Sequence, residues 1–159
     1  FKPFKVGDLI SVNGCLGTVV KIDILYTRLQ TFDNRIITMP NGNVANSDVD
    51  NRTMQPTRRL EYKLKFDFGT DIKRVRRVVV EALKDHPKVL EHPAPDLWLD
   101  EIGEYDLKVN ARSWVRPEDF WPTYWQQLEA IKEAMDREGI SFPVPKQQVN
   151  WPQPEVSEN

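Results

Sequence analysis

His86 and His92 are the first side chains to weigh for chemistry, because imidazole serves both as metal ligand and as proton carrier. Each stands directly before a proline in a proline-rich stretch, and no cysteine or second histidine lies at ligand spacing. They read as turn residues and not as a metal site. Asp96, Asp100 and Glu101 bring carboxylates close together. Two carboxylates are enough for acid–base work, but charges beside a strand ordinarily form its solvated face. Gly14 and Gly17 sit in neither of the glycine patterns that cradle a phosphate at the start of a helix, so they serve a turn. The sequence therefore predicts no catalytic constellation, no enzyme, no cofactor and no bound metal.

Two further clusters point toward binding. Lys73, Arg74, Arg76 and Arg77 form a basic run at helical spacing, suited to an acidic partner or RNA, or simply to a solvated face. Phe120, Trp121, Tyr124 and Trp125 make an aromatic group wide for a core stripe, so that core burial and a subunit interface are equally good readings of Trp121 and Trp125. Cys15 is the only cysteine, which excludes an internal disulfide and a thiolate cluster.

The 159 residues suffice for one ordinary domain or two small ones, and 40% apolar with 29% charged residues is the balance of a folded protein. A net charge of −2 argues against a nucleic-acid footprint. No apolar run approaches the ~20 residues that span a bilayer, and no signal peptide is visible. The chain opens on Phe1 and not on methionine, so a fragment or a processed product is expected.

The elements that would position these residues follow from periodicity. The first third reads as short strands. Residues 8–13 form a run, Asn13-Gly14 a tight turn, and residues 17–24 an alternating strand with Val20, Ile22 and Ile24 on one face. Leu29 and Phe32 belong to the next run, Asp33-Asn34 turns it, and Pro40-Asn41-Gly42 ends the strand over residues 35–39. Such close spacing predicts a small bent sheet or barrel with a thin core that needs neighbours. Residues 51–59 read as a linker that includes Arg58 and Arg59. Leu60, Tyr62, Leu64, Phe66 and Phe68 then alternate with charged residues as a half-buried strand. Thr70 or Asp71 caps a helix carrying Ile72, Val75, Val78, Val79, Ala82 and Leu83. Residues 96–102, with Leu97 and Leu99 on one face, and residues 105–112 form a hairpin. Pro117 opens a second helix whose core stripe is Phe120, Trp121, Tyr124, Trp125, Leu128, Ile131 and Met135, and Gly139 ends it. The order β-α-β-β-α is that of a split βαβ, ferredoxin-like unit. Gln147, Val149 and Trp151 form one more possible strand, too short to pair alone.

Several of these segments, taken in order, resemble one family. Pro3-Phe4-Lys5-Val6-Gly7-Asp8, Gly17-Thr18-Val19, Thr27 with Leu29 and Thr31, and Asp33-Asn34 resemble the β domain of the small-conductance mechanosensitive channel (MscS) family. Ile36-Ile37-Thr38-Met39-Pro40-Asn41-Gly42 resembles that family's most recognisable motif, and Asn46, Asn51 and Arg58-Arg59 continue it. Gly139-Ile140-Ser141-Phe142-Pro143-Val144-Pro145 resembles its late signature.

The resemblance implies an α+β fold: a small Sm-like β domain over residues 1–57, a ferredoxin-like α/β domain over 58–145, and a terminal barrel strand with a frayed tail over 146–159. It implies a homo-heptamer in the bacterial inner membrane, with this segment on the cytoplasmic side and transmembrane helices preceding it. Tension in the lipid bilayer would open the channel to ions and small osmolytes during hypoosmotic shock. Pro40, Asn41 and Gly42 would be a coupling loop near the membrane part. Arg58, Arg59 and Glu61 would lie at side portals, with linker salt bridging as the plain alternative. Gln147, Val149 and Trp151 would enter a parallel barrel, kept short by Pro152 and Pro154. The rival readings are a soluble RNA-binding ring, Sm-like plus RRM-like, and a small-molecule regulatory domain of ferredoxin type.

Overall fold

The computed structural model describes residues 3–145, 147 and 149–152. The first sheet contains β1 (Leu9–Val12), β2 (Cys15–Ile22), β3 (Tyr26–Gln30), β4 (Ile36–Pro40) and β5 (Val49–Asn51), in the antiparallel order β4-β3-β2-β1-β5. A short helix, α1 (Asn41–Ala45), links β4 to β5. The sheet stays open, with β4 and β5 as its two edges. Asn13 and Gly14 both take positive φ, 50° and 76°, and close a two-residue hairpin between Val12 and Cys15. Such a turn matches the right-handed twist of the strands it joins. Gly17 is required by packing: a Cβ there would stand 2.8 Å from the Gln30 carbonyl oxygen.

The alternation expected along β2 breaks at a bulge. Val19 pairs with Leu29 and Lys21 with Arg28, so Val20 is the extra residue. Val19 is buried, whereas Val20 and Ile24 are 38% and 95% exposed, the reverse of the face predicted for them. Phe32 likewise lies exposed in the turn after β3. The core of this sheet is Phe4, Ile10, Val12, Val19, Leu29, Met39 and Val44.

A buried carboxylate holds the entry to the sheet. Asp8 accepts hydrogen bonds from the Lys5 backbone N–H, Asn51 Nδ2 and Thr53 Oγ1, all at 3.0 Å. Asn51 Nδ2 also donates to the Pro3 carbonyl at 3.0 Å. The segment entering β1 is thereby tied to the segment leaving β5.

The second sheet contains β6 (Arg58–Phe66), β7 (Asp96–Ile102) and β8 (Leu107–Val115) in the order β6-β8-β7, antiparallel throughout. Helices α2 (Ile72–Lys84) and α3 (Phe120–Arg137) supply the split βαβ order. Arg58 and Arg59 lie inside β6, opposite Val115 and Trp114, and not in the linker, because β8 is long enough to pair them. Phe68 and Tyr105 fall beyond the paired residues and are exposed. Leu99 is partly exposed beside an irregularity in the β7–β8 register, while Leu97 is buried. Asp71 caps α2 by accepting from the Lys73 and Arg74 backbone N–H groups at 3.0 and 3.4 Å. Gly139, at φ 66°, ends α3, and Ile140 N–H reaches back to the Met135 carbonyl at 2.9 Å.

The face α3 buries is only partly the apolar one. Ile131 and Met135 are buried as expected, but so are Thr123 and Gln127, while Trp125 and Leu128 are 58% and 40% exposed. A buried polar network explains the choice. Gln127 Oε1 accepts from Tyr62 Oη at 2.7 Å and Ser113 Oγ at 2.8 Å, and Gln127 Nε2 donates to the Leu83 carbonyl at 3.0 Å. One amide thus joins β6, β8, α3 and the end of α2. The Tyr62 ring stacks on Tyr124, with centroids 5.3 Å apart. Burial, then Tyr124, pushes the Tyr62 phenol up, so it stays a donor.

Gln127→Leu would strand the Ser113 hydroxyl and take the shorter hydrogen bond from the Tyr62 hydroxyl and from the Leu83 carbonyl, leaving these with the Tyr124 carbonyl at 3.3 Å and the His86 N–H at 3.4 Å. It is expected to lower the unfolding free energy by roughly 2–5 kcal/mol, read from urea melts, whereas Leu128→Gln should cost under about 0.5 kcal/mol. Asp8 supplies an acid-dependent prediction. Burial pushes its carboxyl up, but hydrogen bonds from Asn51, Lys5 and Thr53, with the Lys5 charge, outweigh burial and hold it below the ordinary 3.8. A depressed folded pKa gives stability that is complete above the unfolded value and lost as pH falls through the folded one. Melts below pH 4 should therefore steepen for the native chain and flatten for Asp8→Asn; equal acid slopes would remove Asp8 from this role.

Candidate functional site

The predicted coupling residues form a strand-to-helix junction and not a loop. Pro40 is the last residue of β4, opposite Tyr26, and precedes α1 with extended backbone (φ −60°, ψ 134°). Asn41 and Gly42 form the first turn of α1. The Asn41 amide is fully engaged. Its Nδ2 donates to the Asp23 and Ile24 carbonyls at 2.8 and 3.0 Å, and its Oδ1 accepts from buried Thr27 Oγ1 at 2.7 Å. Its backbone N–H donates to the Leu25 carbonyl at 2.8 Å. Asn41 therefore fixes the β2–β3 tip, which displays Ile24, Leu25 and Tyr26 to solvent. Alternation along residues 17–24 hides the tip, because it puts Ile24 on a strand face. Three consecutive apolar residues, which no alternating strand can bury on one side, were the available signal. Gly42 has open space where a Cβ would go.

The three candidate portal residues divide between two faces of β6, as neighbours on a strand must. The Arg58 guanidinium lies 3.9 Å from the centroid of the Phe120 ring, on the helix side. Burial, then the Arg52 charge, presses its pKa down while Asp50 opposes, and an arginine remains charged regardless. Arg59 and Glu61 occupy the other face, joined at 2.8 Å. The same Glu61 Oε1 stands 3.5 Å from Arg112 Nε. Arg112, opposite Glu61 on β8 and opposite Asp96 on β7, was not singled out from sequence. Only strand register brings these three together.

Gln147, Val149 and Trp151 carry no regular secondary structure in the single chain and are exposed, Trp151 to 82%. Lys146, Gln148 and residues 153–159 of the expected terminal segment lie outside the described residues.

The remaining clusters are occupied by the fold. Arg76 Nε donates to the Leu97 carbonyl at 3.0 Å, and Arg74 donates to the Glu138 carbonyl, so the basic run of α2 is partly consumed internally. His86 Nδ1 accepts from the Lys88 backbone N–H at 3.1 Å, which leaves Nε2–H to donate to Gln126 Oε1 at 2.5 Å. Among the described residues no group of three or more His, Cys, Asp or Glu side chains is placed to hold a metal ion, and no helix is long and apolar enough to cross a membrane.

Comparison with known proteins follows the same division into two sheets. The mechanosensitive ion channel β-domain family matches residues 1–54, and the mechanosensitive ion channel MscS C-terminal family matches residues 60–142. An MscS family protein of Synechocystis sp. is 35% identical over 158 residues, which are 99% of this chain and 53% of that protein. A small-conductance mechanosensitive channel of Edwardsiella ictaluri is 29% identical over 150 residues, 94% of this chain and 52% of that one. The crystal structure of Helicobacter pylori MscS in its closed state superposes with a TM-score of 0.86 at 28% identity, covering 95% of this chain and 60% of that one. The chain spans about half the length of the curated relatives it matches.

Asn41→Ala would leave the buried Thr27 hydroxyl and two tip carbonyls unpartnered, and is expected to destabilise the chain by about 1–3 kcal/mol in chemical denaturation. Gly42→Ala, in open space on a helical turn, should instead be neutral or stabilising by up to about 1 kcal/mol.

Proposed function

The chain belongs to the MscS family of mechanosensitive ion channels, a family of channels and not of enzymes, and from that membership we propose that it is the cytoplasm-facing vestibule of a tension-gated channel. The observation that carries this reading is the order of the two family matches: one falls on the five-stranded sheet and the next on the three-stranded sheet with its helices. In this proposal residues 1–57 form a β domain, 58–145 an α/β domain and 146–159 a terminal strand and tail. Seven copies surround a pore in a bacterial inner membrane, below transmembrane helices that precede residue 1.

Membrane tension favours the open state because that state occupies more area, and a stimulus shifts an equilibrium only through such a difference between states. The chain's part is to hold subunits together, to admit ions and osmolytes through portals, and to couple its own shape to the pore. The Asn41 clamp supports the coupling role, since it holds the apolar tip of Ile24, Leu25 and Tyr26 rigidly outward. The exposed Trp125 and Leu128 on α3 support contact with a neighbouring copy. Arg59 and Glu61, and more distantly Arg58, are the proposed portal charges. Gln147, Val149 and Trp151 are the proposed barrel strand, whose apolar side chains find no cover in one chain.

The full-length protein, produced in cells that lack channels of this kind, is expected to give tension-activated currents in excised patches and to protect the cells during hypoosmotic shock. Protein that reaches the membrane without either effect defeats the reading. Reversing the charges at Arg58 and Glu61 should change the ion preference; an unchanged reversal potential would remove the portal assignment alone.

A further inference from the structure

We propose that the open face of the three-stranded sheet carries a binding site for a single adenine nucleotide, with Trp98 as the stacking surface, Asn110 as the group that reads the base and Lys63 as the phosphate contact. The inference goes beyond the channel reading and does not depend on it.

Lys63, Asn110 and Trp98 make one straight row across the sheet. Asn110 of β8, the middle strand, is the register partner of Lys63 on β6 and of Trp98 on β7. Their chain neighbours Tyr62, Val109, Ala111 and Leu97 belong to the core beneath the helices, so alternation directs all three to the opposite face. Two strand spacings separate the ends of the row, about 10 Å. A cation, an amide and an indole thus lie within the span of one nucleotide.

The fold leaves the binding groups of this row free. Trp98 is 56% exposed. Trp114, further along β8 on the same face, has the Arg59 guanidinium over its ring at 5.9 Å, so Trp98 is the indole left open to stacking. Asn110 is 5% exposed, and its Oδ1 is buried without a hydrogen bond among the described residues. A buried acceptor left unmatched in a folded protein calls for a donor. The carboxylates beside the row already have cations: Glu61 stands 2.8 Å from Arg59 and 3.5 Å from Arg112, and Glu101 stands 3.3 Å from Lys108. Among the described residues the ammonium groups of Lys63 and Lys65 have no ion-pair partner.

These three chemistries select the ligand. Any flat base stacks on an exposed indole. An amide oxygen that lacks a donor favours a base edge bearing an exocyclic amine, and asparagine suits adenine, with Oδ1 accepting from N6–H and Nδ2 donating to N7. Lysine holds a phosphate as a point charge. Lys63 and Trp98 flank Asn110 and part to admit the base, a movement open to exposed side chains on the ps–ns timescale. One free ring supplies one stacking position, which fits a mononucleotide and not a strand of RNA.

The test is calorimetric titration of the full-length protein, in detergent micelles, with AMP. Saturable binding of one AMP per chain is expected, with a Kd between about 10 μM and 1 mM. IMP, which carries an oxygen where AMP carries the amine, should bind at least about fivefold more weakly. Trp98→Ala should weaken AMP binding roughly tenfold, and Trp98→Phe much less. Lys63→Gln with Lys65→Gln should weaken AMP binding and leave that of adenosine unchanged. All three substituted side chains are exposed, so the variants keep the fold, which unchanged thermal melts verify. The inference is overturned if AMP does not bind, if IMP or inorganic phosphate binds as tightly as AMP, or if Trp98→Ala leaves the affinity unchanged. An adenylate oligomer bound a hundredfold tighter than AMP, with steep salt dependence, would replace the nucleotide site by a nucleic-acid face. None of these outcomes bears on tension-gated current, so the channel reading stands or falls separately.

Discussion

The architecture of the larger unit depends on one buried amide. Gln127 sits where two strands and two helices meet: it is the partner of the buried Ser113 hydroxyl and makes the shorter of the hydrogen bonds at the Tyr62 hydroxyl and the Leu83 carbonyl, which otherwise reach the Tyr124 carbonyl at 3.3 Å and the His86 N–H at 3.4 Å. A buried donor or acceptor without a partner costs more than a made hydrogen bond contributes. The network therefore acts chiefly by exclusion: rotations of α3 that would bury Trp125 and Leu128 are the ones that break the Gln127 hydrogen bonds to Tyr62, Ser113 and Leu83. Hydrophobic area alone would have favoured the other face. Exposed Trp125 and Leu128 are a consequence of that choice, and they give the unit an apolar surface suited to contact with another copy.

The smaller sheet meets a different constraint. Its core is seven buried side chains, and its ends would fray without polar anchors. Asp8 and Asn41 supply these at opposite places. Asp8 gathers the entering and leaving segments, and Asn41 gathers the β2–β3 tip and the start of α1. Both are short side chains whose several hydrogen bonds bridge residues far apart in sequence. Rigidity of the tip and of the entry thus comes from geometry that is polar and directional, and a displacement applied at either point meets a fixed network and not a compliant apolar patch.

What could be read from the sequence was local. The half-buried strand through Leu60, Tyr62, Leu64 and Phe66, the cap at Asp71, the stop at Gly139 and the strand over Asp96–Ile102 all follow from periodicity and terminal chemistry within a dozen residues. The bulge at Val20 left no mark, because an inserted residue shifts alternation without changing composition. The burial of Gln127 on α3 is not legible from periodicity, since partners 14 to 65 residues away decide it. The row across Arg59, Glu61, Arg112 and Asp96 needs the registers of two strand pairs at once. Pro40-Asn41-Gly42 was legible as a stop, but the clamp made by Asn41 depends on carbonyls 17 and 18 residues earlier.

The two cores have no residue in common. Substitutions in one are then expected to add to those in the other without mutual compensation, as independent sites do. Such a chain can evolve by halves. Drift in the packing of the sheet nearer the start need not be answered by drift in the split βαβ unit, and a lineage can retune the chemistry of one surface while the other keeps an older sequence.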